Sequence, residues 1–562
     1  MAAFSGAVKI GDLNDFIAPS QACVVSLEGG KLGAAAAEPE LGTVQLQQRP
    51  RGGGFSQTRP ATADQAVKVS LHDCLACSGC VTSAETVLLQ HQSTGELLQR
   101  LADPQRWAVV VSLSPQSVSA LAALHGLPAG ECAARLAAFL RGLGARAVLD
   151  LGAARHLALA EAAAEFVARF RASPRGAATL AAAGAAAGPA AAAAAAAAGG
   201  DAMDVDGAPP AASSSGDEAG PVPMLASACP GWVCYAEKTH GEHVLPYIAT
   251  GKSPQAMQGT LVKQRWCAAA GLPPDGVYHC AVMPCYDKKL EASRGDFDLH
   301  GTQVAETDCV LATTELQELL EQKGVDLRSV APEPLDSLLA VVPGSSGSGS
   351  GWPAGASSSG GDAAAQPGAA AAAAGSAGSG PGSTAPAPPG SGGYLEHVFR
   401  AAAWQLFGQR LPPEPLQTVV GRNTDLREVS LEVAGTTVLR FAAAYGFRNI
   451  QGLMRKIKLR RCEFDYVEIM ACPSGCLNGG GQPKPRAGQS AAERLEQLEL
   501  LYAAADGATT GGGGAAAQAQ AAVEELYGGW VGGPPGSAAA RQLLHTQYHH
   551  REKTVTATLS DW

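Results

Sequence analysis

The sequence predicts an α/β fold with two lobes and mostly parallel sheets. Strand-like apolar runs alternate with helical segments along most of the chain, which is typical of βαβ units whose sheets carry helices on both faces. Three of these runs end at a cysteine beside a proline, namely Cys229, Cys285 and Cys472. Because the carboxyl ends of parallel strands converge on a crevice, we expect these cysteines to meet there.

The alternation of strands and helices can be followed in order along the chain. Runs rich in valine, isoleucine and leucine predict strands, and longer segments with a helical period predict helices. The expected strands are 106–113, 145–150, a run ending at Cys229, 277–285, 307–313, 437–444 and a run ending at Cys472. The expected helices are 131–143, 152–171, 315–322, 394–407 and a basic helix at 452–461.

Low-complexity segments interrupt this pattern. Residues 177–219 and 343–393, and a shorter stretch at 507–522, consist largely of alanine, glycine, serine and proline. Such segments have too few large apolar side chains to form a packed core. They are therefore predicted to be long disordered insertions between the ordered elements.

Charge and cysteine content narrow the class of protein. The formal net charge of -10 argues against a broad basic surface for nucleic acid or anionic membrane. The chain has no run of about 18 apolar residues, and residues 1–15 do not have the pattern of a signal peptide. We therefore expect a soluble intracellular protein, in which fourteen cysteines indicate metal ligation rather than disulfides.

Three closely spaced cysteines lie near the N-terminus. Cys74, Cys77 and Cys80 have the C-x2-C-x2-C spacing of bacterial ferredoxins, in which a loop holds one iron-sulfur cluster. The ferredoxin pattern would place another cysteine at Ala84, so the fourth ligand must come from elsewhere, and Cys23 is the upstream candidate. Zinc remains the alternative, although zinc sites more often use paired C-x2-4-C knuckles.

A second set consists of Cys229, Cys285, Cys472 and Cys476. A glycine run follows Cys476 and would let the backbone approach a cluster closely. Lys288, three residues after Cys285, could offset the negative charge of a thiolate-bound cluster or lie on the solvated surface. The two cysteine sets together predict two iron-sulfur clusters.

The cysteine-bearing segments resemble the three cluster-binding signatures of iron-only hydrogenases. They are 228–232 (Ala-Cys-Pro-Gly-Trp), 283–288 (Met-Pro-Cys-Tyr-Asp-Lys) and 470–476 (Met-Ala-Cys-Pro-Ser-Gly-Cys). Segment 12–23 narrows the resemblance to the eukaryotic hydrogenase-like proteins of cytosolic iron-sulfur protein assembly, also called nuclear prelamin A recognition factor-like.

The resemblance implies a two-lobed, iron-only hydrogenase-like fold with a small ferredoxin-like cluster segment at its N-terminus. It implies two [4Fe-4S] clusters, one on Cys23, Cys74, Cys77 and Cys80, and one between the lobes on Cys229, Cys285, Cys472 and Cys476. The expected division is an N-terminal iron-sulfur cluster segment (1–105), a first lobe (106–342), a disordered linker (343–393) and a second lobe with the C-terminal tail (394–562).

The function implied by the resemblance is that of an adaptor rather than an enzyme. Members pass [4Fe-4S] clusters from upstream scaffold NTPases to the targeting complex that loads cytosolic and nuclear apoproteins. The expected location is the cytoplasm, with the nucleus as a second compartment.

An [FeFe]-hydrogenase-type redox enzyme is the alternative function. Hydrogenases have a proton-relaying cysteine immediately before the first cluster ligand, and this chain has Ala228 there. Since a methyl group cannot transfer a proton, this step of acid-base catalysis is removed. Met283, Lys288 and Met470 match residues that line the hydrogenase di-iron pocket, so part of that cavity is expected to remain.

Two features near the C-terminus are left open by the sequence. Trp562 follows an acidic residue and resembles the tails that dock on the cytosolic targeting complex, although it could equally end a disordered terminus. His545, His549 and His550 could form a metal site, but a frayed polar segment is the preferred interpretation.

Overall fold

The computed structural model describes residues 91–184, 220–338, 392–412, 414–421, 423–510 and 521–551, with the backbone alone for 384–386 and 505–510. The strands are β1 (Ala108–Leu113), β2 (Ala147–Asp150), β3 (Met224–Ala226), β4 (Val277–Met283), β5 (Cys309–Ala312), β6 (Thr384–Pro386), β7 (Gln417–Val420), β8 (Leu426–Val433), β9 (Thr436–Tyr445) and β10 (Tyr466–Met470).

Helices alternate with these strands. They are α1 (Thr94–Leu101), α2 (Pro115–His125), α3 (Ala129–Gly142), α4 (Gly152–Ala172), α5 (Pro230–Tyr235), α6 (Pro254–Thr260), α7 (Cys267–Ala270), α8 (Asp287–Ala292), α9 (Thr313–Gln322), α10 (Tyr394–Phe407), α11 (Phe447–Lys458), α12 (Ala491–Thr510) and α13 (Ala538–Leu544). Each strand and helix expected from the sequence is present, with ends that shift by a few residues.

The first sheet is entirely parallel, in the order β2-β1-β4-β5. All seven residues of β4 are buried, because helices cover both faces of the sheet. This arrangement agrees with the continuous apolar character of the run at 277–285. The carboxyl ends of β1, β4 and β5 therefore share one edge.

The second sheet is mixed, in the order β3-β10-β9-β8-β7-β6. Strands β3, β10 and β9 are parallel, whereas β9, β8, β7 and β6 pair in antiparallel fashion. Ala434 and Gly435 join β8 to β9, and both have positive φ, as a two-residue hairpin turn requires. The sequence predicts the mostly parallel character of the molecule but not this antiparallel extension.

The two sheets share one core. Helix α4 follows β2 of the first sheet and packs Phe166 against the second sheet, with ring centroids 4.8 Å from Phe441 and 5.6 Å from Tyr466. Strand β3 belongs to the segment 106–342, yet it pairs with β10 in the second sheet. The segment assigned to the first lobe therefore supplies strands to both sheets.

The C-terminal region packs back onto helix α4. The buried carboxylate of Glu161 accepts hydrogen bonds from the Tyr527 hydroxyl at 2.5 Å and the Gly536 backbone at 2.9 Å, and it lies 2.9 Å from His545. Burying that carboxylate is tolerated because several donors surround it. In the described part of the chain, none of the helices has the length and apolar character needed to cross a membrane.

Candidate metal centre

A cavity at the carboxyl ends of β3, β4 and β10 brings together four cysteines distant in sequence. Cys229, Cys285, Cys472 and Cys476 all line it. Cys285 follows β4 of the first sheet, whereas the other three follow β3 and β10 of the second. The ten described cysteines are thiols rather than disulfides.

Cys229 is fixed by backbone groups on both sides. Its backbone N–H donates to the Ser227 hydroxyl at 3.0 Å, and its Sγ accepts from the Ala471 backbone N–H at 3.5 Å. Burial raises the pKa of the Cys229 thiol to about 12, and the charges of Cys476 and Asp287 add to the rise. A bare thiolate is therefore disfavoured there, and a cationic partner would offset that cost.

A tight loop places Cys472 and Cys476 on the same cavity. Ser474 and Gly475 have φ values of 60° and 78°, so two successive residues have positive φ. The strained Ser474 is supported by Asp425, whose carboxylate accepts its backbone N–H at 2.7 Å. The turn closes with a bond from the Gly475 backbone N–H to the Cys472 carbonyl at 3.1 Å.

The glycine run after Cys476 lies directly on the end of the first sheet. The Gly481 backbone N–H donates to the Pro284 carbonyl at 2.9 Å, and the Gly481 carbonyl accepts from Thr314 at 3.0 Å. A Cβ atom on Gly479 would lie 2.4 Å from the Pro284 carbonyl oxygen, and one on Gly481 would lie 3.1 Å from Cα of Cys285. Only glycine permits this approach, which brings the two lobes together at the cysteines.

Lys288 lines the cavity and is buried rather than solvated. Its ammonium forms an ion pair with Glu291 at 3.0 Å and donates to the Ser253 hydroxyl at 3.0 Å. The alternative that Lys288 is a solvated surface residue is therefore wrong. The lysine is a buried cation beside the thiols, with part of its charge balanced by Glu291.

Asp287 is a residue of the cavity that the sequence analysis missed. Burial raises its pKa to about 7, while the neighbouring Lys288 acts in the opposite direction. Its Oδ1 atom is buried and has no hydrogen-bond partner, and a Cβ on Gly231 would lie 2.5 Å from its Oδ2. The available signal was an acidic residue two positions after Cys285, directly after the apolar run at 277–285.

The expected pocket residues also lie around the cavity. Ala228, Met283 and Met470 line it together with the four cysteines, and Met470 Sδ lies 3.7 Å from Cys476 Sγ. Tyr394 and Arg155 also line the cavity. The cavity walls thus combine apolar side chains with the thiols, Arg155 and the groups around Lys288.

The C-terminal tail contributes to a smaller cavity on the other side of Cys229. Tyr548 lines this second cavity together with Ser253 and Arg294. His545 is 8% exposed and bonds Glu161 and Thr250, with its Nδ1 2.7 Å from the threonine hydroxyl. The interpretation of this histidine as part of a frayed segment is wrong, because it anchors the tail to helix α4.

Some predicted residues lie outside the described part of the chain. They are the four cysteines of the N-terminal set, Cys23, Cys74, Cys77 and Cys80, and the terminal Trp562. Within the described ranges, no three His, Cys, Asp or Glu side chains are close enough to hold one metal ion. The four thiols share a cavity, but they are not gathered around a single point.

The family comparisons agree with this geometry. Residues 107–183 and 212–480 match the family model for the iron only hydrogenase large subunit, C-terminal domain, and residues 493–551 match that for the iron hydrogenase small subunit. Protein NAR1 of Arabidopsis thaliana is 40% identical over 567 residues, covering 100% of this chain and 99% of its own. Cytosolic iron-sulfur assembly component 3 of Mus musculus is 42% identical over 510 residues, covering 89% and 88%.

The chain belongs to this family of iron-only hydrogenase-like proteins. Solved structures support the same fold, since [FeFe]-hydrogenase HydA1 of Chlamydomonas reinhardtii superposes with a TM-score of 0.57 at 24% identity, covering 81% of this chain and 98% of its own. At that identity the likeness concerns the fold alone. The predicted α/β hydrogenase-like fold is confirmed.

Proposed function

We propose that this protein carries iron-sulfur clusters in cytosolic iron-sulfur protein assembly. The observation that carries the proposal is the convergence of four cysteines from two sheets on one cavity. The 42% identity to cytosolic iron-sulfur assembly component 3 of Mus musculus supports it. In this role the chain would receive a [4Fe-4S] cluster from a scaffold and pass clusters on to apoproteins.

The residues of the cavity fit a [4Fe-4S] cluster. In a cluster of several irons each thiolate binds a different metal ion, so the thiols need to surround a volume rather than meet at one point. The glycines at 479 and 481 hold the loop of Cys476 against the strand end of Cys285. Cys229, Cys285, Cys472 and Cys476 are therefore the proposed ligands, and Cys23, Cys74, Cys77 and Cys80 are proposed for a second [4Fe-4S] cluster.

The chain's own residues would stabilise the charge of such a cluster. Its irons would supply the positive charge that makes thiolates favourable at buried cysteines. Lys288 adds a buried ammonium near Cys285, and the Ala471 backbone N–H points at Cys229 Sγ. These groups would favour the thiolate form of the cysteines and help to fix their positions.

Carrier function is preferred over hydrogen turnover. Ala228 lies on the cavity wall at the position where hydrogenases carry a proton-relaying cysteine, and its methyl group has no exchangeable proton. The fold alone favours the hydrogenase alternative. Anaerobically reconstituted protein should evolve no more hydrogen from a strong reductant than its Cys476→Ala variant, and turnover well above that variant would overturn the carrier function.

Iron and acid-labile sulfide counting tests the ligand assignment. Cys285→Ala should lose about four irons and Cys77→Ala a separate four, since each variant removes one of two independent clusters. Cys132→Ala, which removes a buried thiol of the first lobe core, should keep the full content. Tightly bound zinc without sulfide in the native protein would contradict the proposal.

The proposed partners are the upstream scaffold NTPases and the cytosolic targeting complex, in the cytoplasm and the nucleus. Trp562 is proposed as the contact with the targeting complex, because an indole can fill an apolar pocket while the terminal carboxylate meets basic groups. Removal of Trp562 should weaken recovery of that complex in pull-downs without changing the iron content. Unchanged recovery would refute this contact.

A further inference from the structure

A basic surface runs along helix α11 and the turn that follows it. We define this basic face as Arg448, Arg455, Lys456, Lys458, Arg460 and Arg461, all of which are exposed. No acidic residue occurs between positions 447 and 462. In a chain of net charge -10, six exposed cations within fourteen residues form a marked local reversal of charge.

The cations of the basic face form no ion pairs among the residues that the structure describes. The nearest carboxylate in sequence, Glu463, pairs with Arg440, and Lys456 lies over the ring of Phe464 with Nζ 5.7 Å from the centroid. The helix dipole accounts for the favourable placement of Arg455, Lys456 and Lys458 in the last turn. It does not account for Arg460 and Arg461, which follow the helix, or for Leu459, which is 53% exposed among them.

The acidic counterpart occurs in the chain itself. Residues 185–219, which we call the acidic insertion, contain five carboxylates and no lysine, arginine or histidine. The carboxylates are Asp201, Asp204, Asp206, Asp217 and Glu218. The other long low-complexity segment, 343–391, contains a single acidic residue, Asp362, so the acidic character is specific to the first insertion.

Both flanks of the acidic insertion are anchored beside the basic face. On the N-terminal side, Arg175 forms an ion pair with Asp465 at 2.9 Å and donates to the Glu463 carbonyl at 3.1 Å. On the C-terminal side, the Met224 backbone N–H donates to the Asp465 carbonyl at 2.9 Å. Asp465 is only four residues from Arg461 in sequence. The segments before and after the insertion, at Arg175 ten positions before residue 185 and at Met224 five positions after residue 219, therefore both bond a residue close in sequence to these cations.

The acidic residues can reach the basic face from these anchors. By random-coil scaling, sixteen residues, which is the distance in sequence from Asp204 to Gly220, correspond to an end-to-end distance of about 20–24 Å. A twelve-residue helix such as α11 is about 18 Å long. A segment tethered at both ends also has a high effective concentration at a nearby surface.

We propose that the acidic insertion docks on the basic face of the same molecule, with the carboxylates of 201–218 opposite the cations of 448–461. Individual surface ion pairs are weak, but several pairs formed by one tethered segment act together. The docked segment occupies a surface that would otherwise attract acidic segments of other proteins. Its contact with the basic face is sensitive to salt, because all of its charges are near solvent.

Carbodiimide cross-linking of the full chain tests the contact, since it joins lysine amines to carboxylates that lie against them. At about 0.02 M salt, mass spectrometry should find 201–218 joined to Lys456 or Lys458 within one polypeptide, and about 0.5 M salt should reduce the yield several-fold. The triple variant Arg455→Gln, Arg460→Gln, Arg461→Gln keeps both lysines and should lower the yield at least about threefold. The matched control Arg106→Gln, Lys323→Gln, Arg328→Gln removes three exposed cations elsewhere and should leave it unchanged.

A competition experiment separates self-docking from docking by another chain. A labelled peptide of residues 199–219 should bind the full chain at least about threefold more tightly when the five acidic residues of the insertion are changed to asparagine or glutamine, because its competitor is removed. Equal affinity for the native and neutralised chains would overturn the proposal. So would cross-links found only between two polypeptides, and iron content should be the same in all these variants.

Discussion

The two sheets differ in the direction in which their strands pair, and the candidate site lies only where the strands are parallel. The first sheet is parallel throughout, whereas the second is parallel only from β3 to β9 and antiparallel beyond. Cys285 comes from the first sheet, and the other three cavity cysteines follow β3 and β10. The cysteines thus come only from the parallel parts, where strand ends share an edge, and the antiparallel extension contributes none.

The burial patterns also distinguish the parallel first sheet from the antiparallel part of the second sheet. Strand β4 is buried along its whole length, whereas β8 alternates between buried and exposed residues. A strand covered on both faces tolerates few changes, while a strand with one solvated face tolerates many. The following predictions test this contrast, beginning with the largest expected effect.

The largest effect, a loss of bound iron, is expected from a substitution at Gly481, where the two sheets meet. Gly481→Val would place side-chain atoms against Cα of Cys285 and Cβ of Ala312, which lies 2.9 Å from an added Cβ. The loop of Cys476 would have to move away from the first sheet, and we expect loss of about half of the bound iron. Gly452→Val is the control, since a Cβ there meets nothing within 4 Å. Full iron in Gly481→Val would contradict the proposed role of this contact.

The next largest effect is a loss of stability when a side chain is removed from the core that the two sheets share. Phe441→Ala on β9 removes ring contacts with Phe166 and Phe399, whose centroids lie 4.8 Å and 5.1 Å away. We expect the free energy of unfolding to fall by about 3–5 kcal/mol, from lost burial and the cavity left behind. Urea unfolding measures the change. Leu500→Ala, at a side chain 69% exposed, should change it by less than about 0.5 kcal/mol.

The first sheet carries an acid-sensitive group. Burial lowers the pKa of His279 to about 4, below its ordinary value of 6.5. The unfolded chain therefore takes up a proton before the folded chain does, and stability is lost as the pH falls from about 6.5 towards 4. We expect His279 alone to contribute a slope of about 1.4 kcal/mol per pH unit in that range, measured by urea unfolding as the difference between the native chain and a variant without this imidazole.

A variant without this imidazole should lose that part of the slope. His279→Gln keeps a polar side chain beside Ser112, whose hydroxyl lies 2.9 Å from His279 Nε2. His300→Gln, at an exposed histidine, is the matched control and should keep the slope. An identical pH profile for the native chain and His279→Gln would exclude the histidine as its source.

The smallest expected change in the free energy of unfolding comes from replacing a polar residue on each sheet. Ser112→Ala on β1 removes the hydroxyl that lies 2.9 Å from His279 Nε2 and accepts from Gln258 Nε2 at 3.1 Å, so that the buried His279 Nε2 loses this partner. We expect a loss of about 1–3 kcal/mol. Glu432→Ala on an exposed position of β8 should cost less than about 0.5 kcal/mol. Equal costs at the two positions would mean that the burial contrast has no energetic consequence.

The sequence predicted most of the strands and the longer helices α3, α4 and α10 because their signals are local. The apolar runs at 106–113 and 277–285 became β1 and β4, and the helical period at 152–171 became α4. The strands β7 and β8 were not predicted, since alternation over a few residues is a weak signal. Their pairing depends on the hairpin at Ala434 and Gly435 and on the neighbouring strand β9.

The order of strands and helices, and the position of cysteines at strand ends, were determined by the sequence alone, because apolar periodicity and spacing are properties of neighbouring residues. The burial of Lys288 against Glu291, the unpartnered carboxylate of Asp287 and the anchoring of His545 on Glu161 were decided only by the tertiary structure. Each depends on which distant segments cover a charged group, and burial and charge pairing are set by the packing of the whole chain.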